Sequence, residues 1–157
     1  MIVIAVLLGT AAALVQAGPL AALGVGGAAV ALPAALAAGW AAVRGPREGL
    51  AAVFAAAVVL GVLSEVRVGL YALVLLPAAA SGTLAGMRAP GLRMRAIRAA
   101  GAGLLGAMAY VGLLVAMAGG RSGDATLGWG LATSAFVAAT TCVALFPLRP
   151  RGGRLFT

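Results

Sequence analysis

Long apolar runs, broken only by short connections that carry arginine, glycine or proline, govern what this 157-residue chain can fold into. No Asp, Glu, Lys, Arg or His falls in the middle of any run. A helix that crosses a bilayer needs about 17–25 such residues, and lipid admits only structures whose backbone polar groups pair internally. Six runs are read, over residues 1–16, 22–43, 49–64, 69–87, 99–117 and 127–148, followed by a short basic tail at 149–157. The expected architecture is an all-α integral membrane protein, a single domain of six transmembrane helices in a compact bundle. The first run has no basic leader, and Ala17-Gly18-Pro19 follows it without charge, so it is read as a retained helix rather than a cleaved signal.

Composition enters as the check on that reading. Hydrophobic residues make up 64% of the chain and charged residues 9%, against about 25% charged in a soluble domain. So few charges cannot coat a water-exposed surface of this size. The one cysteine, Cys142, excludes a disulfide framework and reads as a small packed residue.

Charge then sets the orientation. The net charge is +8, and all eleven basic residues are arginine. Six crossings gather Arg44, Arg47, Arg88, Arg93, Arg95, Arg98, Arg149, Arg151 and Arg154 on one side, leaving Arg67 and Arg121 opposite. Arginine collects in short cytoplasmic loops, so both termini are expected inside, N-in and C-in. Five crossings would scatter the arginines between the two sides. This accounts for the basic excess by topology, without nucleic acid as a partner. Trp40, Tyr71 and Trp129 fall near expected helix ends and are read as headgroup-level belt residues.

The chemical inventory is sparse. There is no histidine, and the three acids, Glu48, Glu65 and Asp124, fall on different loops. No acid/base pair, metal constellation or nucleotide-binding glycine pattern is present in the sequence, so neither an enzyme nor a cofactor is expected. The absence of ionisable groups within the runs argues against proton relays and ion paths. The hydroxyls of Thr10, Ser81, Thr83, Thr133, Ser134, Thr140 and Thr141 are expected to bond back to their own helices. Pro33 and Pro77, each inside an expected helix, are expected to kink it.

Two features mark candidate contact surfaces. Gly82-Thr83-Leu84-Ala85-Gly86 is a GxxxG, and Gly103 to Ala107 is a related small-xxx-small spacing. Such spacings let helix backbones approach closely, within the bundle or against a partner helix, and they make Gly82 and Gly86 candidate partner-binding residues. The basic connector from Arg88 to Arg98 places Arg93, Arg95 and Arg98 where a short interfacial helix would meet anionic lipid or a cytoplasmic protein. The turn Arg44-Gly45-Pro46-Arg47-Glu48-Gly49 reads as a reverse turn with anchoring arginines.

The stretch from Arg44 to Gly86, RGPREGLAAVFAAAVVLGVLSEVRVGLYALVLLPAAASGTLAG, resembles the rod shape-determining MreD family. The glycine-bearing turn leads into helix three, Leu63-Ser64 matches the end of that helix, Val68 to Leu73 matches the opening of helix four, and Leu84-Ala85-Gly86 matches its close. The family aspartate falls on Gly61 and the glycine after the serine falls on Glu65. The resemblance implies a non-enzymatic component of the cell-elongation machinery in the bacterial cytoplasmic membrane. Its implied partners are the periplasmic scaffold MreC, a RodA-type glycosyltransferase with its class B penicillin-binding transpeptidase, and the actin homologue MreB. A rival from another class is the substrate-binding S-component of an energy-coupling-factor vitamin transporter, whose six-helix fold the expected bundle is similar to. Ala13 and Ala17 have the small-residue spacing of its first helix, and Gln16, Tyr71, Arg121, Asp124 and Trp129 are the residues available to hold a polar ligand.

Overall fold

A computed structural model describes residues 1–20, 22, 30–64, 68–88, 91–117 and 125–148. Every regular element among them is helical. α1 (Ile2–Val15) continues through a π-helical turn, Gln16–Leu20; α2 is Leu32–Arg44, α3 Pro46–Leu63, α4 Val68–Arg88, α5 Leu92–Met117 and α6 Ala125–Leu145, with a closing 3-10 turn, Phe146–Leu148. Five of these, all but α2, are long and apolar enough to cross a membrane. The chain is thus a multi-pass membrane protein by helix length and composition.

α2 departs from expectation. Its 13 residues span about 20 Å at 1.5 Å per residue, short of the roughly 30 Å hydrocarbon core. Of the expected helix over 22–43, the structure describes a helix only from Leu32, and residues 23–29 lie outside the described residues. Pro33 occupies the first turn of α2. There a missing N–H costs nothing and the fixed φ suits helix entry, so Pro33 starts the helix instead of kinking one. Pro77 lies inside α4, as the sequence indicates. α5 also differs from its expected start at residue 99: the second half of the basic connector forms its first turns.

The short helix is the centre of the bundle. α2 touches all five other helices, while α1–α3, α3–α4, α4–α5 and α5–α6 are neighbours, so the five long helices form an arc around it with α1 and α6 at its ends. From Pro33 to Val43 nearly every residue of α2 is buried, and most are alanine. Small residues on its neighbours allow the approach. A Cβ on Gly82 would meet the carbonyl oxygen of Ala38, and one on Gly86 that of Ala42, so α4 lies backbone to backbone on α2. Gly49 of α3 also packs tightly on α2, where a Cβ would come within 2.7 Å of the Ala41 side chain. Large apolar residues such as Leu7, Phe54, Val62, Leu73, Leu105 and Phe136 face outward.

The contacts also fix which helix ends lie together. Ala5 near the start of α1 packs with Trp40 and Ala52, and Ala42, Val43, Ala99 and Cys142 form a further cluster. The start of α1, the end of α2, the starts of α3 and α5 and the end of α6 therefore share one end of the bundle. Arg44, Arg47, Arg93, Arg95 and Arg98 sit at that end.

Candidate functional site at the two ends of the central helix

A helix that stops inside a protein leaves amides at its start and carbonyls at its finish without intrahelical partners, and in lipid each must be satisfied by neighbours. At the start of α2, the Ala31 amide donates to Ser134 Oγ at 3.0 Å and the Leu32 amide donates to Gln16 Oε1 at 3.1 Å. Pro33 has no amide to place. Ser134 in turn donates to the carbonyl of Gly130 in its own helix, at 2.8 Å. Gln16 is buried at the end of α1, and its side chain also meets the Tyr110 hydroxyl. The Tyr110 ring lies 6.5 Å from that of Tyr71, tilted by 35°. Four helices thus contribute Gln16, Tyr71, Tyr110 and Ser134 to one buried, uncharged cluster.

At the other end Gly45, with φ of 95°, breaks the chain between α2 and α3 in a single residue. That conformation suits glycine because it has no Cβ to clash. The break aligns Trp40, Arg44 and Glu48 four residues apart. The Glu48 carboxylate accepts from Trp40 Nε1 at 2.9 Å and from Arg44 Nε and Nη2 at 3.2 and 2.9 Å. Arg44 Nη1 also donates to the carbonyl of Leu148, at 2.6 Å, tying the end of α6 to this corner. Across the bundle Arg95 is buried and donates through Nη1 to the carbonyl of Ala42, at 3.1 Å. The intrahelical donor for that carbonyl would be residue 46, which is proline and has no N–H; Arg95 takes its place.

Measured against the sequence-based candidates, this geometry divides them. Gly82 and Gly86 are buried against α2, so the GxxxG is consumed within the bundle. Gly103 packs on α6 beside Ala138, and Gly106 on α4 and α2 beside Ala78 and Ala34. Arg93 and Arg98 are exposed, whereas Arg95 points inward. Trp40 and Tyr71, expected in the headgroup belt, are buried at 4% and 5% exposure, because each packs toward α2 or its neighbours. Trp129 is exposed, at 77%. Ser81, Thr83, Thr133, Ser134 and Thr140 bond back to their own helices as expected. Glu48, a turn acid by sequence, takes its place in the corner through the four-residue spacing of Trp40, Arg44 and Glu48.

Gly61, where the resemblance places an aspartate, lies against the start of α4. A Cβ there would come within 2.6 Å of the Val68 side chain, so α3 and α4 would have to part to admit a carboxylate. Glu65, Arg67, Arg121 and Asp124 lie outside the described residues. Among the described residues no group of three or more His, Cys, Asp or Glu is placed to hold a metal ion. Comparison with protein-family models, curated proteins and solved structures finds no match to this chain.

Proposed function

We propose that this chain is a non-enzymatic membrane scaffold of the bacterial cell-elongation complex, resembling MreD, set in the cytoplasmic membrane with both termini inside. The observation that carries the reading is the fate of α2. Its faces are taken by five helices and both its ends are tied by side chains from the surrounding helices. Such a bundle is a stiff body whose contacts with other molecules are made on its periphery. That suits a protein whose task is to hold partners in place. The sequence that resembles the family, from Arg44 to Gly86, builds the charged corner, α3 and α4.

In this reading an MreC-like scaffold meets the lipid-facing surface of the bundle. The RodA-type glycosyltransferase and its class B transpeptidase join through that scaffold. Arg93 and Arg98 face the cytoplasm, where anionic lipid and MreB are found. Capture of the tagged chain in mild detergent, with cross-linking and mass spectrometry, tests this directly. Recovery of an MreC-like protein with the glycosyltransferase and transpeptidase is expected. Recovery of two ATPases and a membrane coupling subunit instead would overturn it.

That second outcome belongs to the S-component reading, and one observation favours it. Gln16 and Tyr71, two of the residues available for a polar ligand, converge with Tyr110 and Ser134 in one buried cluster. Vitamin binding to the purified chain, lost in Gln16→Leu, would support it.

A further inference from the structure

α3 and α4 touch closely at one end and separate at the other. Away from the arginines, Gly61 lies directly against Val68. Toward the arginine-bearing end, Gly49 of α3 and Gly82 and Gly86 of α4 each dock on α2 instead. The result is an open groove of about 400 Å³ on the outer surface, lined by Pro46 and Leu50 of α3 and by Leu76, Ala80, Thr83 and Leu84 of α4. The Thr83 hydroxyl is turned away into its own helix, donating to the carbonyl of Ala79 at 2.8 Å. The lining is therefore apolar along its length. Its volume falls in the range of about 300–1,000 Å³ typical of ligand pockets.

The groove is only one leaflet tall. It starts in the first turn of α3, and its α4 wall runs from Leu84 to Leu76, or about 12 Å along the helix. A partner's membrane-spanning helix would need a seat across both leaflets, which the Gly61–Val68 contact closes off. An acyl chain needs only one leaflet.

Charge marks the mouth. Glu48 is the one acid among the described residues, and it is committed to Arg44 and Trp40. Arg47 adjoins Pro46, is exposed, and makes no hydrogen bond or ion pair among the described residues. An uncompensated guanidinium thus belongs to the residue next to Pro46, at the arginine-bearing end of the groove, and guanidinium binds phosphate through paired N–H donors.

The geometry points to a bound anionic glycerophospholipid, with one acyl chain in the α3–α4 groove and its phosphate on Arg47. This assignment does not depend on the scaffold reading, because it concerns the purified chain alone.

Native mass spectrometry of the full chain in mild detergent tests it, with dioleoyl phosphatidylglycerol and dioleoyl phosphatidylcholine added in turn. The wild type retains one phosphatidylglycerol in preference to phosphatidylcholine. Arg47→Ala reduces that preference about fivefold, which corresponds to the roughly 1 kcal/mol that one arginine contributes at an anionic membrane surface. Ala80→Leu and Ala80→Trp fill the groove in two steps and lower retention of both lipids, the larger residue more. Arg98→Ala, on another helix and away from the groove, lowers the preference less than Arg47→Ala does. Circular dichroism and monodisperse elution confirm that each variant is folded. Retention unchanged in a folded Ala80→Trp variant, or an equal loss in Arg98→Ala and Arg47→Ala, overturns the assignment. So does a dimer mass that disappears in Ala80→Trp, which would make a second copy of the chain the occupant.

Discussion

The two ends of α2 present the same problem to different surroundings, and they solve it with different chemistry. The start lies within the apolar slab, and neutral groups satisfy it: Gln16 and Ser134 accept from two backbone amides. The finish lies among the arginines and uses ions: Glu48 holds Arg44 and Trp40, while Arg95 caps the Ala42 carbonyl. An ionised side chain at mid-membrane costs about 2.5–3.5 kcal/mol on the insertion scale, which explains why the charged solution is confined to the interface. Packing differs in the same direction. At the charged end Gly82 and Gly86 meet backbone atoms of α2, whereas around the start Gly106 meets the side chains of Ala34 and Ala78, and Tyr71, Tyr110 and Leu75 fill the space. The charged end is fixed by sterics and ions together; the neutral end depends on one side-chain acceptor for each amide, with the Val30 carbonyl, at 3.0 Å, as a second acceptor for Leu32.

The sharpest way to break this contrast is to force the glycine contacts apart. Gly86→Leu drives a side chain into the Ala42 backbone, which also removes the carbonyl that Arg95 caps from its place. Overpacking of this kind costs about 3 kcal/mol, read as a shift in the SDS concentration that unfolds the detergent-solubilised chain. Gly101→Leu is the control. It faces open space, so it should be neutral or stabilise by up to about 1 kcal/mol through helix propensity.

A smaller effect tests the ionic part alone. Glu48→Ala leaves the Trp40 N–H and the Arg44 guanidinium without their shared acceptor, at a cost of about 2 kcal/mol. Glu48→Gln keeps one acceptor oxygen and should recover part of that loss in the same titration. If Glu48→Ala were silent, sterics alone would hold this end.

Helix number and order could be read from the sequence because lipid demands apolar runs of a definite length, and arginines, glycines and prolines punctuate them. Which face of each helix turns inward could not be read from hydropathy, because lipid is as apolar as the interior and leaves no amphipathic stripe. Residue size carries that information instead: Ala34, Ala38, Ala57 and Ala78 are buried, while Val58, Val62, Leu84 and Phe136 face outward. Aromatic rings near helix ends usually lie in the headgroup belt, and position alone points Trp40 and Tyr71 there. Their polar atoms and rings instead find partners inside, in Glu48 and Tyr110. The start of α2 at Leu32 was hidden because prolines are tolerated within membrane helices, so Pro33 alone did not mark a boundary. Of the candidate residues, Arg93 and Arg98 are exposed as their loop position implied. Gly82, Gly86 and Arg95 turn inward because α2 is close enough to claim them.

The neutral end should be the softer one, and two substitutions grade it. Gln16→Leu removes the side-chain acceptor of the Leu32 amide, which keeps the Val30 carbonyl, and also the partner of Tyr110, at a cost of about 1.5 kcal/mol.

Ser134→Ala removes only the acceptor of the Ala31 amide. Hydrogen bonds between membrane helices average about 0.6 kcal/mol and reach about 1.7; a fully buried backbone donor belongs in the upper part of that range, so about 1 kcal/mol is expected. Thr140→Ala provides the comparison. Its hydroxyl bonds only to carbonyls of its own helix, which keep their helical donors, so its loss should be near zero. Amide hydrogen exchange separates a local effect from a global one. Ser134→Ala should speed exchange at Ala31 while leaving amides at the finish of α2 protected, because the charged end holds independently. Equal acceleration at both ends would show that α2 opens as one unit and that its two kinds of cap are coupled.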